Sequence, residues 1–163
     1  MKGTIFVVIL GIISSLKLSQ KGLEFIKELE GLKLEAAKNE QGKWIIGYGT
    51  TDAHSSVTGT RIKEGLKIDS KTAEKWLKQV INKRYVAKVN KYNNKYKWTQ
   101  NEFDAMISFA YSDGNIEKLT DKGKRTKEVI SKKILEFNKV NGKVDEKLKK
   151  RRESEQKLFL TKQ

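Results

Sequence analysis

Glu30 stands at the end of an amphipathic stretch and is followed by Gly31, a residue type that commonly ends helices. A carboxyl group placed there faces the negative end of the helix dipole, and a cleft around it would add a desolvation penalty. Both effects disfavour the ionised form and favour the proton-carrying form that a general acid needs. Taken alone, a glutamate in a chain this rich in charge is most often a solvated surface residue. The sole histidine, His54, follows Asp52 by two positions, which outlines an acid–imidazole dyad. No serine sits in a nucleophile motif, so His54 reads as a loop residue. Gly47-Tyr48-Gly49 is not a phosphate loop, because the wider G-x-x-x-x-G-K pattern is missing. The absence of cysteine excludes disulfide and thiolate chemistry, and a single histidine all but excludes a structural zinc centre. Trp44, Trp76 and Trp98 offer faces for sugar stacking, although Trp76 falls on an apolar helical face and Trp98 precedes a helix start, so packing is expected of both.

The elements that must position these residues follow from periodicity and capping. Ser19 can cap a helix whose apolar face is Leu23, Ile26 and Leu29, with Glu30 as its last residue. Over Lys33 to Thr51, Trp44, Ile46 and Tyr48 alternate with Lys43, Ile45 and Gly47 after a turn at Asn39 to Gly42, which predicts a β-hairpin. After Asp69 and Ser70, either of which can cap, the residues Ala73, Trp76, Leu77, Val80, Ile81, Val86 and Val89 predict one long helix. Thr99-Gln100-Asn101-Glu102 is a capping box, with Trp98 and Phe103 placed as a hydrophobic staple, and Asp113-Gly114 ends the helix that it opens. A further helix carries Val129, Ile130, Ile134, Leu135 and Phe137 and is broken at Asn141-Gly142. A last one carries Leu148, Leu158 and Phe159, with Arg151 and Glu155 paired on its surface. The fold class is α+β, with one hairpin near the start followed by helices.

A chain of 163 residues with 35 Lys and Arg against 20 Asp and Glu is one domain with a net charge of +15. The excess lies in residues 67–97 (+8) and 118–163 (+9). So basic a balance predicts an anionic partner, which charge alone does not identify as nucleic acid, membrane surface or wall polymer. Lys2 is followed by an apolar run from Ile5 to Ile13, too short for a spanning helix, which needs roughly 20 residues. It fits the apolar region of a secretory leader, although no A-x-A-like site follows, and cleavage would fall after Ser14 or Ser15. Residues 1–18 are therefore expected to be a signal peptide or a membrane-anchoring leader, and 19–163 the folded domain. Membrane association, if any, would run through residues 4–16. The alternative is a buried N-terminal strand or helix.

Glu30-Gly31, then Gly42, then Ile46-Gly47-Tyr48-Gly49, continued by Val57 to Thr60 (VTGT), Thr99 to Tyr111 (TQNEFDAMISFAY) and Arg151 to Phe159 (RRESEQKLF), together resemble the phage-type lysozymes and endolysins. The resemblance extends from Ser19 to Phe159. It implies a small N-terminal β-hairpin lobe, a mainly helical C-terminal lobe and a cleft between them. It implies hydrolysis of the glycosidic bond between N-acetylmuramic acid and N-acetylglucosamine in peptidoglycan, by a monomer, without metal or cofactor, in a secreted or envelope-associated setting. By the same resemblance Glu30 is the general acid, Arg151 the arginine that approaches it, with Arg152 as the alternative, and Gly47, Tyr48, Gly49 and Ser112 line the substrate cleft. Anionic cell-wall polymers are the expected partners of the basic surface. A specific nucleic-acid partner is not expected, because no helix-turn-helix, zinc-finger or RNA-recognition signature is present.

The chain departs from the family where the chemistry is concentrated. Nine residues after the glutamate the family places an aspartate, and six further on a threonine; here these are Asn39 and Ile45. Ala37 stands where the family has a tyrosine, and Ser112 where it has an asparagine. An inverting hydrolase needs a second carboxylate to activate water, and an amide cannot take the proton. Three outcomes are open: Glu40 takes the role, Asp52 supplies the charge, or turnover is low or absent and a non-catalytic peptidoglycan-binding or regulatory protein remains.

Overall fold

The computed structural model describes residues 15–162. The apolar run of the expected leader lies outside the described residues, and no helix among those described is long and apolar enough to cross a membrane. Helix α1 (Gln20–Glu30) begins where Ser19 accepts the Gly22 N–H and ends at Gly31, whose φ of 69° few other residues adopt at low cost. Strands β1 (Lys33–Lys38), β2 (Trp44–Gly47) and β3 (Thr50–Thr51) form an antiparallel sheet in that order, one strand more than a hairpin. The Asn39 side chain accepts the N–H groups of Gln41 and Lys43 and so fixes the β1–β2 turn. A 3-10 turn (Asp52–His54) and α2 (Ser55–Thr58) follow.

Helix α3 (Ser70–Arg84), capped by Asp69, carries buried Ala73, Trp76, Leu77, Val80 and Ile81. The expected long helix stops at Tyr85, where φ of −117° breaks the helical path, and resumes as the short α4 (Val86–Asn90). Periodicity alone could not show this break, because Val89 is still buried beyond it. Then come α5 (Asn93–Tyr96), α6 (Gln100–Tyr111), α7 (Ile116–Thr120) and α8 (Lys127–Lys133). Thr99 and Glu102 form the capping box of α6, and ten of its twelve residues are buried. Trp98 lies in the same core as Phe103 and stacks on the Tyr96 ring at 4.4 Å. Asn141-Gly142, read as a helix break, is instead the two-residue turn of a small hairpin, β4 (Lys139–Val140) and β5 (Lys143–Val144). Helix α9 (Glu146–Leu160), capped by Asp145, closes the fold against α6.

Two apolar clusters result. The larger lies among α1, α3, α6 and α9, and the smaller joins Ala36, Ile46 and Ile62 of the sheet region to Trp76 of α3. Ahead of α1, Leu16 and Leu18 pack on the large cluster, and the Leu16 backbone exchanges two hydrogen bonds with the Asn90 side chain. Gln100 donates to the Lys17 carbonyl. Residues 16–18, assigned by sequence to the leader, are thus docked on the helical lobe.

Candidate active site

The end of α1, the β1–β2 turn, β3, the end of α6, the β4–β5 hairpin and α9 surround a cleft of about 910 Å³. Glu30, Asn39, Ile45, Gly49, Ser112 and Arg151 all contribute to its wall. Arg151 Nη1 donates to Glu30 Oε1 in a close ion pair, and Arg151 Nε donates to Glu155 Oε1 at 3.0 Å. Ser108 Oγ donates to the same Glu155 oxygen at 2.7 Å and receives a weaker contact from Arg151 Nη2 at 3.3 Å. The guanidinium is therefore held between a cleft carboxylate and a buried one. Burial by itself would lower its proton affinity, but the charges of Glu30 and Glu155 prevail and raise it, so Arg151 stays cationic.

Arg152, the alternative, is 2% exposed and serves packing. It donates to the Phe137 carbonyl at 2.8 Å, to Ser112 Oγ at 2.7 Å and to Glu155 Oε2 at 2.6 Å, and it covers the Phe109 ring. Burial pushes its guanidinium down, with Glu155 opposing. Arg151 and Glu155 are thus not surface partners, as expected from their spacing: Glu155 is fully buried beneath the cleft wall and binds two arginines. Ser112 lies on the wall, with its hydroxyl and carbonyl both committed to Arg152.

Gly49 lies on the other side of Glu30. A methyl group built on it would come within 2.6 Å of Glu30 Oε2, and its φ is 80°, so both space and backbone require glycine. Tyr111 donates its hydroxyl to the Tyr48 carbonyl, which ties this backbone to α6. Burial first, and then the negative charge of Glu30, hold the Tyr111 phenol far above its ordinary value, so it remains a donor.

Other expected site residues lie elsewhere. Gly47 is buried against Ala73 of α3, and the Tyr48 ring belongs to the large core under the Lys27 ammonium, so neither lines the cleft. Of the triplet, only Gly49, in the turn between β2 and β3, lines the groove. Glu40 is exposed and off the cleft wall, while its neighbours Asn39 and Gln41 are on it. Asp52 is also off the wall: it accepts the Ile62 N–H at 3.0 Å and pairs with Arg61 at 3.4 Å. Neither carboxylate is on the cleft wall in this arrangement. His54, expected in a loop, ends the 3-10 turn in a buried position and accepts the Thr51 N–H at 3.1 Å. Ser108 and Tyr111 had no distinguishing signal in the sequence beyond their place in a segment that carries the resemblance, Glu155 was marked only by its spacing from Arg151, and Thr51 was marked by nothing.

Residues 27–155 match the family model described as Phage lysozyme. The chain is 32% identical over 146 residues to an endolysin of Lactococcus phage c2, covering 88% of this chain and 60% of that protein. It is 34% identical over 155 residues to an endolysin of Bacillus phage B103, covering 90% and 55%. The chain therefore spans little more than half the length of these relatives. Among solved structures, an endolysin from Escherichia coli O157:H7 phage FAHEc1 superposes with a TM-score of 0.75 at 35% identity, over 90% of this chain and 95% of that one. The shared α+β architecture and a match that runs from α1 into α9, taking in both walls of the cleft, lead to one assignment: the chain belongs to the phage lysozyme family.

Proposed function

We propose that the protein is a lysozyme-type glycoside hydrolase that cleaves peptidoglycan between N-acetylmuramic acid and N-acetylglucosamine. The observation that carries this reading is Glu30 at the end of α1, on the cleft wall, with Arg151 bound to one oxygen and Gly49 against the other. Sugar entering the cleft would separate Arg151 from the carboxyl oxygen that must protonate the leaving group. Arg151 then remains anchored through Glu155 and is free to stabilise the carboxylate left behind.

A second reading, a peptidoglycan-binding or regulatory protein without turnover, is favoured by Asn39 and Ile45. The Asn39 side-chain oxygen is committed to two backbone N–H groups, and Ile45 brings only hydrocarbon to the wall. Release of reducing ends from purified cell walls separates the two. The hydrolase reading expects the parent chain to release them, Glu30→Gln to stop release, and Asn39→Asp with Ile45→Thr to increase it. An inert parent that sediments with walls would establish the second reading. Export through the leader in residues 1–18, to the envelope where anionic polymers meet the basic surface, completes the proposal.

A further inference from the structure

If the protein is a hydrolase, its water needs a base, and Asn39 is not one. Ile45 and Thr51 are direct partners across β2 and β3, so their side chains leave the sheet on one face. Both line the cleft together with Asn39 and Glu30. The hydroxyl lacking at position 45 is therefore supplied one strand away. Behind it, His54 Nδ1 accepts the Thr51 N–H at 3.1 Å and lies 3.5 Å from Thr51 Oγ1. A ring nitrogen that accepts an amide proton carries none of its own, so neutral His54 holds its proton on Nε2 and aims the Nδ1 lone pair at Thr51.

The surroundings suit a group that must accept a proton and give it up. His54 is 9% exposed, and its ring lies parallel to Tyr111 at 6.4 Å. Burial first, and then the positive charge of Arg84, keep the imidazole neutral, while Asp113 favours the imidazolium. Arg84 is fixed by hydrogen bonds to the Ala53 carbonyl and Ser56 Oγ. Among the other acids that line the cleft, Glu136 pairs with Lys133 at 2.8 Å and Asp145 accepts the Leu148 N–H at 2.7 Å, while Glu28 and Asp113 stand on the wall as well.

We propose, resting on the hydrolase reading, that Thr51 and His54 act as the base that Asn39 cannot be: Thr51 Oγ1 seats the nucleophilic water and relays its proton to His54 Nδ1. The water oxygen bonds to the anomeric carbon as the bond to the leaving sugar breaks and that sugar's oxygen takes the proton of Glu30. The water's proton passes to Thr51 Oγ1 as the threonine's own hydroxyl proton passes to Nδ1. The imidazolium then returns its proton to solvent, and Glu30 is reprotonated. Forming the imidazolium breaks the Thr51 N–H contact, so the charged state is short-lived. The 3.5 Å gap is of the length that tightens when substrate fills a site.

The test is reducing-end release from purified peptidoglycan, with kcat and KM measured separately and wall sedimentation and thermal unfolding in parallel. Thr51→Val is expected to lower kcat about 100-fold with KM and sedimentation unchanged, and Thr51→Ser to restore most of it. His54→Asn, which keeps an acceptor near Nδ1 but no base, is expected to lower kcat comparably and to abolish the acid limb of its pH profile. Asn39→Asp placed on His54→Asn is expected to recover turnover, which a merely structural loss would not permit. If Thr51→Val or His54→Asn keeps the parent kcat while Glu30→Gln is dead, or if Asn39→Asp fails to rescue, this inference is overturned and the hydrolase reading stands. If the parent releases no reducing ends, both fall.

Discussion

Two neighbouring arginines show how little the identity of a side chain says about its work. Arg151 and Arg152 are about 100° apart around α9, which sends one to the cleft and Glu30 and the other into the core beneath Phe137 and Ser112. The resemblance singled out Arg151, but the sequence held no hint that Glu155 would be buried between them, because charge pattern on a helix reports spacing and not depth. Gly49 was legible as part of a triplet, whereas its reason, contact with a carboxylate, needed coordinates. Gly49→Ala is expected to cost about 1–2 kcal/mol of stability for its left-handed backbone and to reduce wall hydrolysis more than tenfold by displacing Glu30, checked by thermal unfolding and reducing-end release. His54 offers a pH prediction. Its folded value is lowered from 6.5, so the unfolded chain binds a proton that the folded chain refuses as the solution becomes acid. Its contribution is complete above 6.5 and is lost as the pH falls through the lowered value. The unfolding temperature of His54→Asn should therefore fall less steeply below pH 6.5 than that of the parent; equal slopes would contradict this.

Helix starts were the most legible elements, since Ser19, Asp69 and Thr99 each cap as their sequence contexts suggest. What interrupts an element was less so. Tyr85 splits a run whose apolar spacing continues, and Asn141-Gly142, with φ of 49° and 78°, makes a hairpin turn where helix was expected on both sides. An Asn-Gly pair is a strong hairpin signal, but the flanking strands, each of two residues, are too short to show alternation. The arm at residues 16–18 carries a prediction at this scale. Removing residues 1–18 should cost about 1–3 kcal/mol more than removing 1–14, through lost apolar burial of Leu16 and Leu18 and the freed Asn90. Equal denaturant midpoints for the two truncations would show that the arm contributes nothing.

At the level of the whole molecule, composition set the charge, and the order of motifs pointed to the architecture of two lobes and a cleft. The basic excess follows α3 to α5 and the chain from α7 to α9, where many lysines are solvated. Binding to anionic walls should therefore weaken as salt rises from about 0.05 M to about 0.5 M, measured by sedimentation, and Glu30→Gln should show the same dependence because it leaves this surface intact. Insensitivity to salt would remove charge as the basis of wall affinity.

Adjacent residues of α3 serve different interiors: Trp76 completes the small cluster with Ala36, Ile46 and Ile62, and Leu77 belongs to the large one. The sheet side thus borrows a quarter of its fully enclosed apolar residues from a helix that the other side anchors. Such a partnership melts in sequence. In native-state amide exchange, β1 and β2 should release their protons through a sub-global opening of lower free energy than the one that frees α6, and Trp76→Ala should widen that gap while sparing the slowest amides of α6.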